Sequence, residues 1–248
     1  MKFDRVIAIR NTKTIYRDGN RCIKCFHDAY SKEDVLNEAL NQSRMESTEL
    51  YVPEVFEVSN INGKWSIIME FIHGKTMEQY MAENPIRMQE YINQIVDLQI
   101  QLGYQNVSML PLQKTRIWKN IVPSAADPTV LDSYRAKLDE LSHDVLVCHG
   151  HLEPSNIIMT DDGVPYLLDW MDASAGSIAA DAAATFLSMQ LRYPKEISEM
   201  YLHTFCQKMK IDIALVREWI PLVAASRLAT ANFDEREYYQ ALTFDSDF

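Results

Sequence analysis

The 248-residue sequence predicts an α+β protein with two lobes, an antiparallel β-sheet lobe that carries one helix and a mainly helical lobe. Three observations support this prediction. Strand patterns fill most of the N-terminal part, helical periodicity dominates after His73, and one β-hairpin pattern interrupts the helices at 156–168. We therefore divide the chain into an N-terminal lobe (1–70), a hinge (71–75) and a helical C-terminal lobe (76–248), and we expect a cleft between the lobes.

The N-terminal lobe is predicted from strand patterns and one capped helix. The Asp-Gly-Asn triplet at 18–20 is a tight hairpin signal between two of the strands. Ser31 is an N-cap candidate for a helix that runs to about Met45, because acidic residues follow it and apolar residues then recur at helical spacing. The expected strands cover residues 3–9, 13–17, 21–26, 54–59 and 64–70.

The C-terminal lobe is predicted to be helical around a single hairpin. The sequence Thr-Asp-Asp-Gly at 160–163 forms the turn between strands at 156–159 and 164–168. Pro221 is expected to kink or split one helix, because proline lacks the N–H that a helix interior needs. The expected helices cover residues 77–82, 88–102, 131–141, 180–190, 197–208, 213–230 and 234–241.

The composition is that of a folded globular protein, with 47% hydrophobic and 24% charged residues. A formal net charge of -11 offers no electrostatic basis for binding nucleic acid or an anionic membrane. The N-terminal segment has no signal-peptide pattern and no stretch approaches the ~20 apolar residues that span a bilayer, so we expect a cytoplasmic protein. Cys22 and Cys25 have C-x-x-C spacing, but no second pair completes a zinc site, and we expect reduced core thiols.

Lys24 and Glu38 are the first pair of candidate functional residues. Lys24 lies in the middle of a strand pattern, where a cation needs a partner, and Glu38 lies in the middle of the helix that follows. A strand lysine paired with a helix glutamate fixes an ammonium against the α- and β-phosphates of a nucleotide. Each residue alone would be a plain surface charge, but their joint occurrence ahead of a catalytic-loop pattern favours a nucleotide site.

Asn156 and Asp169 are the second pair. Asp169 follows an apolar strand, so its carboxylate is expected to emerge at a strand end. Magnesium takes hard oxygen ligands and neutralises the charge that develops on transferring phosphates. The order and spacing of this pair match the pattern of a phosphate-transfer site, and we predict that both residues hold Mg²⁺ and serve catalysis.

Residues 149–156, HGHLEPSN, and 168–170, LDW, resemble the HGDLHPGN and IDW motifs of the aminoglycoside phosphotransferase and choline kinase family. The resemblance runs in order over roughly residues 3–190 and implies a protein-kinase-like fold, with ATP or GTP and Mg²⁺ as cofactors. It implies that Lys24 and Glu38 are the family's nucleotide-anchoring ion pair. It also implies that the backbone at Glu70 and Ile72 binds adenine and that Asp181 matches the acidic residue heading the following helix.

His151 is a departure from the family pattern, because it occupies the position of the aspartate that accepts the substrate's proton. Replacing such a base usually costs about 10²–10⁴ in rate, although a neutral imidazole can accept a proton near neutral pH. The turn at 10–12, expected to cover the phosphates, has no glycine. We expect a structural hydrogen-bonding role for His149 and an exposed loop position for Glu153.

Two functions stay open at this point. The first is an ATP-dependent phosphotransferase acting on a hydroxyl of an aminoglycoside-, choline- or sugar-like small molecule, with activity weakened or altered by His151. The second is a pseudokinase, a nucleotide-binding regulatory or scaffold protein without catalysis. The expected partner is the small-molecule acceptor, cationic amines included, and neither nucleic acid nor a membrane is expected.

Overall fold

The computed structural model describes residues 3–10, 12–27, 30–124 and 127–243. The chain folds into two compact units. The first unit takes its described residues from Met1–Glu83, Asn106–Ser108 and Pro154–Asp172. The second unit takes its described residues from Asn84–Gln105, Met109–Glu153 and Ala173–Phe248.

Strands and helices are numbered in chain order. The strands are β1 (Arg5–Ile9), β2 (Lys13–Asp18), β3 (Arg21–Phe26), β4 (Val55–Ile61), β5 (Lys64–Glu70), β6 (Lys75–Thr76), β7 (Leu146–Cys148), β8 (Ile157–Met159), β9 (Pro165–Leu167) and β10 (Ser174–Gly176). The α-helices are α1 (Lys32–Met45), α2 (Met77–Glu83), α3 (Met88–Gly103), α4 (Gln113–Ile121), α5 (Pro128–Glu140), α6 (Ile178–Arg192), α7 (Lys195–Met209), α8 (Ile213–Arg217), α9 (Ile220–Leu228) and α10 (Phe233–Gln240). Single 3-10 turns lie at Pro85–Arg87, Pro154–Asn156 and Trp170–Asp172.

The first unit is built on an antiparallel sheet with strand order β1-β2-β3-β5-β4. Side chains alternate across β3, so that Ile23 and Cys25 pack on one face of the sheet while Phe26 packs under α1 on the other. Lys24 shares the α1 face, because its strand position has the same parity as Phe26. The centre of β3 is therefore buried on both faces.

Helix α1 is held at its start by a capping box. The Ser31 hydroxyl accepts a hydrogen bond from the Asp34 N–H at 3.1 Å, and the Asp34 carboxylate accepts one from the Ser31 N–H at 3.0 Å. The helix then packs Val35 and Ala39 against the sheet. Glu38 lies within the same turn as these residues and is fully buried, so the fold fixes a carboxylate against β3.

The hairpin of β8 and β9 belongs to the first unit, although we expected it within the helical lobe. Strand β8 pairs with β6 on one side and β9 on the other, and the Leu167 N–H donates to the Tyr51 carbonyl at 2.9 Å. These backbone contacts tie Pro154–Asp172 to the N-terminal stretch. The residues after β9 are thereby fixed by the same unit that holds Lys24.

The second unit is mainly helical. Helix α6 is buried along most of its length and lies against α7, α8 and α9, while α4 lies against α9. Strands β7 and β10 form a short antiparallel pair, with Cys148 opposite Ser174. None of the described helices is both long and apolar enough to cross a bilayer.

Proline residues and N-cap side chains determine where several helices begin and end. The helix expected at 213–230 is split, as predicted, into α8 and α9, with Pro221 in the first turn of α9. Helix α5 begins three residues earlier than expected, because Asp127 caps it and Pro128 opens it. Helix α4 was not predicted, since its sequence is rich in charged and polar residues and its N-terminus has no side-chain cap.

Candidate active site

Lys24 lies at the centre of the first unit's polar cluster. Lys24 is 5% exposed, and it lies opposite Ile15 on β2 and Ile67 on β5. The ammonium forms an ion pair with the Glu38 carboxylate and a second one, at 2.7 Å, with Asp169 Oδ1. The structure therefore brings together three of the residues that the sequence analysis selected.

The Lys24 ammonium stays charged despite its burial. Burial lowers the pKa of Lys24, but the Asp169 and Glu38 carboxylates together raise it further, and the net pKa is above its usual value. Within the described residues, the second Glu38 oxygen, Oε2, is buried without a hydrogen-bond partner. Removing one partner of a buried ion pair strongly destabilises the folded protein, so Lys24 and Glu38 depend on each other.

Lys13, which the sequence analysis did not select, contributes a second cation. Its Nζ lies 2.6 Å from Asp169 Oδ2, and its side chain is 14% exposed. Burial and the neighbouring Lys24 charge lower the pKa of Lys13, and the Asp169 carboxylate partly offsets them. The signal for Lys13 is its parity with Ile15 on β2, which places it on the α1 face.

Asp169 has a left-handed backbone, with φ of 69°, and is the second residue after β9. This conformation is uncommon for a residue other than glycine and is found preferentially at functional sites. The turn that follows is fixed by the Asn41 side-chain amide, which donates to the Trp170 carbonyl at 3.2 Å. Since Asn41 lies on α1, one helix positions both Glu38 and the turn that follows Asp169.

Asn156 lies at the end of the turn preceding β8. Its carbonyl accepts a hydrogen bond from the Leu168 N–H at 2.9 Å, so the residue lies beside the end of β9, one position before Asp169. A carboxylate and an amide oxygen are the hard ligands that magnesium takes, with phosphate oxygens and water completing its shell. The described residues contain no cluster of three or more His, Cys, Asp or Glu side chains placed for a metal. The metal-binding role of Asn156 and Asp169 stays a prediction.

The segment predicted to bind adenine is fixed through its backbone. The Glu70 N–H donates to the Glu54 carbonyl at 2.9 Å, and the Phe71 N–H donates to the Asn20 carbonyl at 3.0 Å. Ile72 is buried, at 7% exposure. The Glu70 N–H is therefore already bonded to the Glu54 carbonyl and is not the group that would donate a hydrogen bond to a base.

His151 lies in the second unit, with both ring nitrogens against charged groups. Arg227 Nη1 lies 3.2 Å from His151 Nδ1, and Nε2 lies 3.5 Å from a Glu153 carboxylate oxygen. A guanidinium can only donate hydrogen bonds, so Nδ1 is the acceptor and the ring proton is on Nε2, facing Glu153. The lone pair with which His151 could accept a proton is thus directed at Arg227.

Glu153 is buried rather than exposed, which corrects our expectation for this loop residue. It is 5% exposed and accepts contacts from Arg192 Nε at 3.1 Å and from the Ser188 hydroxyl at 3.3 Å. Both partners lie on α6, far along the chain. Glu153 is buried because Arg192 and Ser188 supply the charge and hydrogen bond that a buried carboxylate requires.

The backbone at residues 149–151 is held by contacts within the second unit. The Asp181 carboxylate, 1% exposed, accepts hydrogen bonds from the Gly150 N–H at 2.5 Å and from the Gln99 side chain at 2.8 Å. His149 is fully buried, and its Nδ1 accepts from the His151 N–H at 3.3 Å. Asp181 and His149 thereby act on the loop geometry through hydrogen bonds.

The cysteines are free thiols in the described structure. Cys25, Cys148 and Cys206 are buried, and Cys22 is partly buried. Burial raises the pKa of the Cys22 thiol to about 11, against the opposing effect of the nearby Lys24 charge. Cys22 is therefore protonated at neutral pH and is a poor nucleophile or metal ligand.

The sequence of the chain matches one known protein family. A sequence model described as "Phosphotransferase enzyme family" matches residues 10–219. No curated protein sequence matches the chain.

Solved structures resemble the chain over nearly its whole length. A thermostable mutant of aminoglycoside phosphotransferase APH(4)-Ia in apo form aligns with a TM-score of 0.72 at 13% identity, covering 95% of this chain and 90% of that one. Choline kinase LicA from Streptococcus pneumoniae aligns with a TM-score of 0.66 at 16% identity, covering 97% and 91%. A ternary complex of the APH(4)-Ia mutant with ADP and hygromycin B aligns with a TM-score of 0.69 at 13% identity, covering 95% and 90%. These likenesses show that the chain has the protein-kinase-like α+β fold.

Proposed function

Since the chain belongs to the phosphotransferase enzyme family, we propose that it is an ATP-dependent kinase that phosphorylates a hydroxyl of a small molecule. The observation that carries this proposal is the cluster in the first unit, where Lys24 contacts both Glu38 and Asp169. A buried, charged lysine fixed by a helix glutamate is the arrangement that holds an ammonium against the phosphates of a nucleotide.

Each residue of the cluster has a role in this proposal. Lys24, fixed by Glu38, binds the α- and β-phosphates of the nucleotide. Asp169 and Asn156 hold Mg²⁺, which neutralises phosphate charge when bound. The backbone around Ile72 contacts adenine, with the Glu70 N–H excluded because Glu54 already uses it.

His151 makes the proposed enzyme slow rather than inactive. The Arg227 bond to Nδ1 must break before the ring can accept a proton from an acceptor hydroxyl. Phosphoryl transfer depends mainly on positioning and charge stabilisation, so turnover persists without an efficient base. The acceptor belongs to the aminoglycoside-like, choline-like or sugar-like class, because one structural neighbour is a complex with hygromycin B and another is a choline kinase.

A pseudokinase is the second candidate, and one observation favours it. The neutral His151 ring is held by Arg227 and Glu153 in a network that uses both nitrogens, an arrangement that stabilises the loop more than it prepares proton transfer. In this alternative the protein binds nucleotide with Mg²⁺ and forms no phosphorylated product.

The two candidates are separated by product formation in wild type and in His151→Asp. Release of ADP is measured with Mg²⁺ and a panel of aminoglycosides, choline-like amines, sugars and nucleosides, and the phosphorylated product is identified by mass spectrometry. A slow enzyme gives product with one acceptor class in wild type. The aspartate variant should then be faster by about 10²–10⁴, the usual contribution of a general base.

Asp169→Asn is the matched control, because it removes one charge from the metal pair at constant side-chain size. It should abolish magnesium-dependent turnover in both backgrounds. Product from His151→Asp together with a silent wild type supports the pseudokinase, and absence of nucleotide binding in wild type contradicts both candidates.

A further inference from the structure

We infer that Lys13 is a second phosphate-binding residue, which neutralises Asp169 in the ligand-free protein and turns to the nucleotide when a divalent cation takes its place. This inference rests on the proposed function, because it assumes that Asp169 holds the metal and that Lys24 anchors phosphates. It adds a residue that the family motifs do not include.

The geometry of Asp169 is the first step. Its two carboxylate oxygens are each taken by a different lysine, Oδ2 by Lys13 at 2.6 Å and Oδ1 by Lys24 at 2.7 Å. A metal ion that binds either oxygen competes with one of these ammonium groups. Lys24 has a second carboxylate partner in Glu38, so Lys13 is the cation that is displaced at lower cost.

The charge balance of the cluster is the second step. Two lysines and two carboxylates, Glu38 and Asp169, give a formal sum of zero, so the ligand-free cluster is neutral. When Asp169 turns to a divalent cation, Lys13 loses its partner while remaining partly buried, at 14% side-chain exposure. A buried ammonium in that position needs another anion, and a phosphate oxygen supplies it.

The position of Lys13 on the chain is the third step. Lys13 is the first residue of β2, and its carbonyl accepts a hydrogen bond from the Arg10 N–H at 2.8 Å, which closes the turn after β1. This is the turn expected to cover the phosphates, and it has no glycine to let backbone N–H groups approach them. Asn11 lies outside the described residues. A lysine side chain beside this turn supplies the hydrogen-bond donors that backbone N–H groups of a glycine-rich turn would otherwise provide, and it adds a positive charge.

The test compares Lys13→Met with Lys75→Met, a control that removes an exposed lysine paired with Glu83 in the same unit. Two affinities are measured for each protein, that for a fluorescent ATP analogue with Mg²⁺ and that for Mn²⁺ alone by electron paramagnetic resonance. Lys13→Met should bind the ATP analogue about 10-fold more weakly, the loss of one charge-assisted hydrogen bond. It should bind Mn²⁺ alone about 10-fold more tightly, because Asp169 is no longer shared with Lys13.

The opposite signs of the two changes distinguish this role from a structural one. A merely structural lysine would, on removal, weaken both affinities or neither, and either result overturns the inference. Lys13→Gln provides the same two measurements if Lys13→Met does not fold. Wild-type protein that fails to bind the ATP analogue contradicts the proposed function itself, whereas normal wild-type binding with unchanged Lys13 variants contradicts only the inference.

Discussion

A buried lysine stabilises the protein only while its carboxylate partners are present. Lys24 is held between Glu38 and Asp169 with almost no exposed surface. Removing one member of such a cluster leaves an uncompensated charge in a medium of low polarity, whereas replacing a whole pair by apolar groups of similar size is often neutral. Single and double variants of such residues therefore show whether a charge is needed for stability or for ligand binding.

Lys24→Met should lower the free energy of unfolding by about 3–5 kcal/mol, because Glu38 is left buried without its cation. The double variant Lys24→Met, Glu38→Leu should recover most of that loss while binding no ATP analogue. Chemical denaturation and fluorescence titration measure the two quantities. A double variant that is no more stable than the single one would show that the pair is not an independent unit.

At the residue scale, motif chemistry identified Lys24, Glu38 and Asp169, and the structure brings them together; their roles stay predictions. The motif could not indicate Lys13, because a lysine at the start of a strand is usually a surface residue. Lys13 faces α1 because the register of β2 against β3 places it opposite Phe26. Glu153 was misjudged for a similar reason. Its burial depends on Arg192, a partner far away in the sequence.

At the scale of elements, the connection between β5 and β6 depends on one glycine. Gly74 has φ of 156°, and a Cβ added there would lie 2.2 Å from the Met159 carbonyl oxygen on β8. The close approach permits β6 to pair with β8, with Lys75 opposite Met159. The β8–β9 hairpin, which ends near Asp169, is therefore held to β6 beside Gly74, where a larger residue does not fit.

Gly74→Ala should destabilise the protein by about 3–5 kcal/mol, the sum of backbone strain and overpacking against a carbonyl. Gly63→Ala is the matched control, because Gly63 also has a positive φ, 87°, but nothing lies within 4 Å of the added Cβ. The control should lose only about 1–2 kcal/mol from strain. Equal losses in the two variants, measured by denaturant unfolding, would contradict the steric argument.

Elements with strong local signals were predictable. The capped helix α1, the central strands of the large sheet and the split at Pro221 follow from capping, alternation and proline chemistry. The short strands β6 and β10 have only two or three residues, and no local pattern marks them. They form because β8 and β7 offer them backbone partners, which is tertiary information.

At the scale of the whole molecule, the proposed binding of a nucleotide predicts that the nucleotide stabilises the folded chain. A ligand at 100 times its dissociation constant that binds only the native state adds about 2.7 kcal/mol. For a chain of this length, about 1 kcal/mol corresponds to about 2–4 °C in the unfolding midpoint. We therefore expect saturating ATP with Mg²⁺ to raise the midpoint by about 5–10 °C.

This prediction is checked by thermal unfolding with ATP, GTP or no nucleotide, each with Mg²⁺ and with a chelator. The shift should be largest with Mg²⁺ and should disappear in Asp169→Asn, which removes the carboxylate of the proposed metal-binding pair. Absence of any shift with both nucleotides at millimolar concentration would contradict nucleotide binding.

The first unit is assembled from stretches that are not contiguous in the chain, since Pro154–Asp172 joins Met1–Glu83. A gene truncated after codon 83 would encode Lys24 and Glu38 without Asp169, and would leave β6 without the strand it pairs with. Such a fragment should be incompetent on its own. If the chain is divided at that point and the two fragments are expressed together, nucleotide binding should report their reassembly. The cluster of Lys24, Glu38 and Asp169 exists only when both fragments are present.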